Sequence, residues 1–226
     1  MIAHEINNLL TPLGNYAELA LHHLDDRDLV EKALRKAMMS CQRASKVMQS
    51  MMAMAHGREQ DKVTVSLKPL VEDVFLCLAR DFTKDGITVR IEVPADLEIY
   101  AVPVQLQQVI MNFVLNAREA MLDRGGTLTI RAETQPDAVV IEVRDTGPGI
   151  PAAVLERIFE PFFSTKSSAG RPGECYGTGL GLAFCRTVIE AHEGRLCVRS
   201  IPGEGTTFVL SLPKAGLGGD DPGCPS

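Results

Sequence analysis

From Val30 to Ala55 the apolar residues Val30, Leu34, Ala37, Cys41, Ala44, Met48, Met51 and Ala55 recur in strict alternating steps of four and three. That repeat is one face of a helix turned towards a long apolar partner. A similar stripe precedes it: Ile6, Leu9, Leu10, Leu13, Ala17, Ala20 and Leu24. The polar run "DDRD" separates the two, so an antiparallel helical hairpin over residues 1–56 is predicted. Two helices leave much of both stripes wet. Packing against the rest of the chain is one remedy. A four-helix bundle with a second copy covers more, and a homodimer is therefore expected.

Beyond "HGREQDK" the periodicity changes. A linker over 57–66 is expected, although "VTVSL" within and after it reads as a strand. A helix follows over Lys68–Thr83, then a strand "ITVRIEV" and a long helix Val104–Leu122. "GTLTIRAET" and "AVVIEVRD" alternate apolar and polar residues as an antiparallel pair does. A helix after "GTGLGL" and the strands "GRLCVRS" and "TTFVLSL" complete the region. The expected class is α+β: the hairpin, then an α/β sandwich with a mixed sheet over 67–213. Residues 214–226 hold too few apolar groups to fold and are expected to be a disordered tail.

Composition narrows the function classes. The net charge of −6 without a long basic run argues against nucleic acid as partner. The six cysteines show no CxxC pair and no zinc-ligand spacing, so buried, reduced thiols of a cytoplasmic protein are expected. No apolar run is long enough to span a bilayer and no signal peptide precedes the first helix, so no membrane contact is expected of these residues.

Three stretches carry the chemistry. "DTGPGI" (Asp145–Ile150) ends a strand in a carboxylate that can accept from an exocyclic amine, with Gly147 and Gly149 letting backbone approach a flat ring. Alone, it is an ordinary turn. "GTGLGL" (Gly177–Leu182) opens a helix whose N-terminus favours phosphates, though glycine-rich helix starts have many uses. "NFVLNAREAM" sets Asn112 and Asn116 one turn apart on one helical face. A carboxamide oxygen suits Mg²⁺, which keeps its waters and shares phosphate oxygens; a solvated asparagine pair is the plain alternative.

Together these stretches resemble the ATP-binding fold shared by sensor histidine kinases, DNA gyrase, Hsp90 and MutL. "FEPFFSTK" (Phe159–Lys166) is similar to the phenylalanine box of the histidine kinases, and "AHEINNLL" to their phospho-acceptor box. The wording "HEINNLLTP" followed by "YAEL" most resembles nitrogen-regulatory or hybrid-type kinases. The resemblance covers nearly the whole chain, with the motifs in family order.

The resemblance implies ATP-dependent phosphorylation of His4, then transfer to an aspartate on the receiver domain of a response regulator, with phosphatase activity besides. It implies Asp145 at the adenine amine, Gly147 and Gly149 shaping the adenine pocket, Asn112 near the phosphates and Asn116 on Mg²⁺. Gly177, Gly179 and Gly181 would close around the phosphates, with Lys166 at the γ-phosphate. Thr178, Leu180 and Thr206 are counted with the nucleotide-binding residues. Glu5 would orient the imidazole or take its proton, and Asn8 would position water for dephosphorylation. His4, Asn8, Thr11 and Asn15 share a polar helical stripe, which turns the histidine outward.

Hydrolytic relatives of this fold carry a glutamate where Asn112 stands. A kinase is therefore expected over a hydrolytic ATPase, and intact His4, Asn116 and Asp145 weigh against a nucleotide-binding pseudokinase scaffold. Few residues precede His4, so the chain is expected to be a piece of a longer protein, membrane-tethered or of hybrid type.

Overall fold

The structure is a computed structural model that describes residues 2–38, 40–41, 61–78, 81–164 and 179–214, with side chains described from residue 11 onward. The hairpin opens with α1 (Ile2–His22), which carries Pro12 in its interior. A second helix, α2, runs over residues 27–38. Asp26 explains where α2 begins: Leu29 N–H donates to its Oδ1 at 3.0 Å, and Val30 N–H to its carbonyl at 2.9 Å. The Lys36 ammonium lies 5.2 Å from the Tyr16 ring centroid, and Ala20, Ala33 and Ala37 are buried. Leu21, Leu24, Leu34 and Met38 stay exposed, so each stripe keeps an uncovered part. The expected run of the second helix to Ala55 lies outside the described residues past Cys41.

The next unit begins earlier than the sequence indicates. Residues Val63–Ser66, expected within the linker, form β1 and pair antiparallel with β3 (Glu98–Ala101). Between them come α3 (Leu67–Leu78), a 3₁₀ turn (Phe82–Asp85) and β2 (Ile87–Glu92). The expected helix Lys68–Thr83 is thus corrected to end at Leu78. Asp81 caps the 3₁₀ turn by accepting from Thr83 N–H at 3.0 Å, and Gly86 ends it at φ 71°. Then follow α4 (Pro103–Met121), β4 (Gly126–Thr134), β5 (Ala138–Asp145), the short α5 (Ala152–Leu155), α6 (Gly181–Ala191), β6 (Arg195–Ile201) and β7 (Gly205–Pro213).

The main sheet has the order β2-β4-β5-β7-β6, with β2 parallel to β4 and every other pair antiparallel. It is the mixed sheet of the expected α+β class. Helices α4 and α6 cover one face. Their apolar stripe (Leu106, Val109, Ile110, Phe113, Phe184, Ile189) meets Leu128, Ile130, Ile141, Phe208 and Leu210 in one core. Phe113 stacks on Phe208 with ring centroids 4.6 Å apart, which fixes α4 over β7. Among the described residues no helix is long and apolar enough to cross a membrane.

The expectation of buried, reduced thiols is corrected. Cys185 is free and buried, but Cys41 and Cys77 are free and exposed. Cys77 sits on the outward side of amphipathic α3, where helical period overrides an apolar-looking neighbourhood. Cys197 is disulfide-bonded.

His192 joins the two covering helices. It follows α6 and is 3% exposed. Its Nδ1–H donates to the Val188 carbonyl at 2.8 Å, and its Nε2 accepts from Val102 N–H at 3.0 Å. A carbonyl only accepts and an amide N–H only donates, so the partners fix one neutral tautomer. Val102 is the N-cap of α4 and has no side-chain cap of its own. Burial lowers the histidine pKa below 6.5; the Val188 bond opposes that and the charge of Lys62 adds to it.

A second proton on His192 would aim an N–H at the Val102 N–H. Its contribution to stability is therefore complete above the ordinary histidine pKa of 6.5 and is lost as pH falls through the lowered folded value. Urea unfolding across pH should show the parent losing stability as pH falls from 6.5 to that value, and His192→Gln following a flatter curve. The variant should also be about 1–2 kcal/mol less stable at pH above 7, if the bond to Val102 is lost.

Candidate functional site

Strand β5 ends in Asp145, whose side chain turns to the helix-covered face with Ile141 and Val143 and is 4% exposed. Gly147 N–H donates to its Oδ1 at 2.8 Å, and Thr206 N–H to the same oxygen at 3.3 Å. Both backbone donors use Oδ1, which leaves Oδ2 for a ligand's donor. Burial pushes the carboxyl above the usual carboxylate range, and the two N–H donors pull it back.

The turn after Asp145 is as tight as its glycines allow. A Cβ on Gly147 would lie 2.8 Å from Asp145 Oδ1 and 3.2 Å from Ala120 Cβ. Gly149 has φ 72°, and its Cβ would fall 2.3 Å from the Ile201 carbonyl. Thr206 pairs with Asp145 on one side and with Ser200 on the other. Ser200 Oγ donates to the Gly205 carbonyl at 2.9 Å, shares a 3.0 Å bond with Thr206 Oγ1 and accepts from Ile150 N–H at 2.8 Å. That hydroxyl fastens the far end of the Asp145–Ile150 turn to β6.

The second wall is α4. Asn112 and Asn116 are half-buried and one turn apart on α4. A Cβ on Gly181, the first residue of α6, would lie 3.2 Å from Asn112 Oδ1. The missing side chain thus lets the N-terminus of α6 meet the asparagine. Asn112 Nδ2 is buried without a hydrogen-bond partner. The Cys185 thiol is near enough to feel the Asn112 amide, but its own weak bond runs 3.8 Å to the Val109 carbonyl. An orphaned amide beside a helix N-terminus fits an anionic group.

Phe162 N–H donates to the Gly179 carbonyl at 3.0 Å, tying the phenylalanine box to the start of α6. Gly179 has φ 67°, and its Cβ would fall 2.4 Å from the Phe162 carbonyl carbon. Leu180 is buried behind it. Asp145, Gly147 and Thr206 therefore meet where β5 and β7 end beside Ala120 of α4, with Gly149 in the turn that follows; Asn112 meets Gly181 at the start of α6, next to Gly179 and Leu180, and Asn116 lies one turn further along α4. Lys166, Gly177 and Thr178 lie outside the described residues. His4, Glu5 and Asn8 lie on α1, with side chains outside the described set.

The family described as "Histidine kinase-, DNA gyrase B-, and HSP90-like ATPase" matches residues 101–216, half of the chain. The chain belongs to that family. The signal transduction histidine-protein kinase AtoS of Escherichia coli K12 is 30% identical over 217 residues, 94% of this chain and 34% of AtoS. The sensor kinase CckA of Brucella abortus is 34% identical over 94% of this chain and 23% of its own length. The chain thus spans about a third or less of these relatives. A crystal structure of the histidine kinase ThkA in complex with the response regulator protein TrrA is similar, with a TM-score of 0.72 and 26% identity over 95% of this chain and 60% of that one. The catalytic domain of ThkA alone gives a TM-score of 0.59 at 31% identity, over 69% of this chain and 99% of that one.

This is an ATP-binding domain of the histidine kinase, gyrase and HSP90 type, and its residues fit a nucleotide on two counts: a buried carboxylate with one oxygen in reserve, and the unpartnered Asn112 amide. Sequence reasoning missed Ser200, whose role depends on partners 50 and 6 positions away. The one available signal was its place opposite Thr206 in the closing hairpin.

Asp145→Asn keeps an oxygen for Gly147 and Thr206 but turns the reserve acceptor into a donor. Calorimetric titration with an ATP analogue should show affinity about ten- to a hundredfold lower, about 1.5–3 kcal/mol. The nucleotide-free variant should unfold at no lower temperature, because the substitution removes a charge that burial disfavours.

Proposed function

We propose that the chain is the catalytic core of a two-component sensor histidine kinase, of nitrogen-regulatory or hybrid type. His4 accepts the γ-phosphoryl group of ATP and passes it to an aspartate of a response-regulator receiver domain, and the same core assists dephosphorylation of that partner. The carrying observation is the uncharged Asn112, its amide orphaned beside the first turn of α6, in a chain that also presents His4–Glu5 on a helical hairpin. A relative named as a histidine-protein kinase and another named as a sensor kinase, each matched over 94% of this chain, and a similar structure that holds a response regulator support the reading.

In this reading Asp145 accepts from the adenine amine, Gly147, Gly149, Thr206 and Leu180 shape the pocket, and Asn112 donates to the phosphate chain. Gly177, Thr178, Gly179 and Gly181 offer backbone N–H groups to the phosphates, and Lys166 reaches the γ-phosphate. Mg²⁺, held by the Asn116 carboxamide oxygen together with phosphate oxygens and waters, would neutralise charge during transfer. The free imidazole nitrogen of His4 forms the bond to phosphorus, ADP departs with the bridging oxygen, and Glu5 takes or orients the imidazole proton. Asn8, one turn on, positions water for the reverse task. Residues 1–56 form the dimerisation and phosphotransfer hairpin, and the ATP-binding domain extends from β1 to residue 213. The location proposed for both is the cytoplasm.

Incubation with γ-labelled ATP and Mg²⁺ should yield acid-labile, base-stable phosphate on the parent and none on His4→Gln. Labelling that survives the substitution would place the acceptor elsewhere. The dimer has its own test. Leu34 is 53% exposed on its stripe, so Leu34→Glu together with Met48→Glu should give a monomer by light scattering. A persistent dimer would move the interface off the hairpin.

A further inference from the structure

Arg90, Thr129 and Arg144 stand side by side in register on β2, β4 and β5. Their sequence neighbours Ile91, Leu128 and Val143 pack into the helix-covered core, so these three side chains leave the opposite face of the sheet. Together with Thr127 of β4 they line a hollow of about 370 Å³. Both arginines are exposed and both threonines half-buried. The hydroxyls thus form a floor and the guanidiniums two walls.

The charges of this row differ from those of the row beside it. Glu92, Arg131 and Glu142 alternate in sign across the same three strands. Arg131 also bonds Glu133 at 3.2 Å, and Glu142 accepts from Arg199 at 2.6 Å. That row neutralises itself, as the cross-strand pairs of a solvated face do. The first row instead sets two cations two strand spacings apart, about 9.6 Å, with a hydroxyl between them and no carboxylate in line. Among the described residues Arg90 and Arg144 have no ion-pair or hydrogen-bond partner, and neither do the Thr127 and Thr129 hydroxyls. Two guanidiniums with a hydroxyl between them match the terminal oxygens of a phosphate group, which arginine bonds bidentately. Glu92 also lines the hollow, two residues or about 6.6 Å along β2 from Arg90, and it too has no partner among the described residues. A carboxylate there repels a second anionic group and accepts from a hydroxyl. None of the described lining residues is aromatic, so a nucleobase would find no ring to stack on.

We propose that this hollow binds a small hydroxylated phosphate monoester of the size and chemistry of glycerol phosphate. The phosphate sits between Arg90 and Arg144 over Thr129, and a ligand hydroxyl donates to Glu92. The site lies behind the nucleotide pocket, not within it. Arg144 precedes Asp145 on β5 and its side chain leaves the opposite face, so the two sites share a strand but no side chain. A ligand here would hold the back of the strand that carries the buried carboxylate.

The test uses the full, isotope-labelled chain, with an ATP analogue added to fill the front pocket. Titration with glycerol phosphate should move the backbone amide resonances of Arg90, Thr129 and Arg144, with a dissociation constant in the millimolar range or tighter. Arg90→Gln and Arg144→Gln, both at exposed positions, should each weaken binding about tenfold with the melting temperature unchanged, as loss of a charged hydrogen bond predicts. Succinate should bind the parent about tenfold more weakly than the ester, and Glu92→Gln should narrow that gap. Resonances that stay in place, arginine variants that bind like the parent, or succinate that binds as tightly as the ester overturn the proposal. Shifts confined to Asn112 and Gly181 would put the ester in the front pocket and overturn it as well. None of these readouts requires phosphoryl transfer, so their failure is distinct from failure of the kinase reading.

Discussion

A carboxylate buried at the end of a central strand governs the architecture around it. Asp145 is 4% exposed, and burying its charge is unfavourable unless hydrogen bonds compensate. The compensation comes from backbone, which has consequences for sequence. Gly147 N–H reaches Oδ1 only because no Cβ stands 2.8 Å from that oxygen. Thr206 N–H reaches it only if β7 lies close, and a Cβ on Gly205 would fall 2.0 Å from the Asp145 carbonyl oxygen. Strand β5 has partners on both sides, β4 and β7, so the carboxylate stands on a backbone that cannot drift. Ser200 extends the same restraint to Ile150, 50 positions away in sequence, by accepting its N–H at 2.8 Å.

The helices obey a similar logic at both ends. At one end Gly181 gives up its side chain so that α6 can meet Asn112. At the other, His192 caps α4 from the end of α6 through Val102. Between these clamps Cys185 packs against the Val109 carbonyl and Phe113 lies on Phe208. Two ends and a middle fix the relative position of α4 and α6. The asparagines and the glycine turn are therefore held at a set separation without any bond between them.

What was legible in the sequence was local. The helix expected at Val104–Leu122 lies at Pro103–Met121, because its apolar period is strong and proline suits a first turn. The alternating strands and the motif order were equally plain. Misses came where a few residues take their structure from distant partners. Four-residue β3 exists by pairing with β1, and α5 is a single turn. The helix expected to reach Thr83 stops at Leu78 because Asp81 and Gly86 enclose a separate turn, while apolar Phe82 kept the helical period going on paper. His192 and Ser200 are unremarkable in their neighbourhoods; their partners stand 90 and 50 residues away.

The choice of asparagine at position 112 follows from the same geometry. Its amide nitrogen is buried, without a hydrogen-bond partner, beside a desolvated thiol and the first turn of α6. A carboxylate there would share that desolvation, which raises a carboxyl's affinity for a proton and makes it a base able to activate water. A carboxamide has no such option. It can donate to an anion and hold it, but it cannot take a proton from water. On the kinase reading proposed above, a site that keeps ATP intact until a histidine arrives gains from that incapacity, and the cost is one unsatisfied N–H whenever the anion is absent.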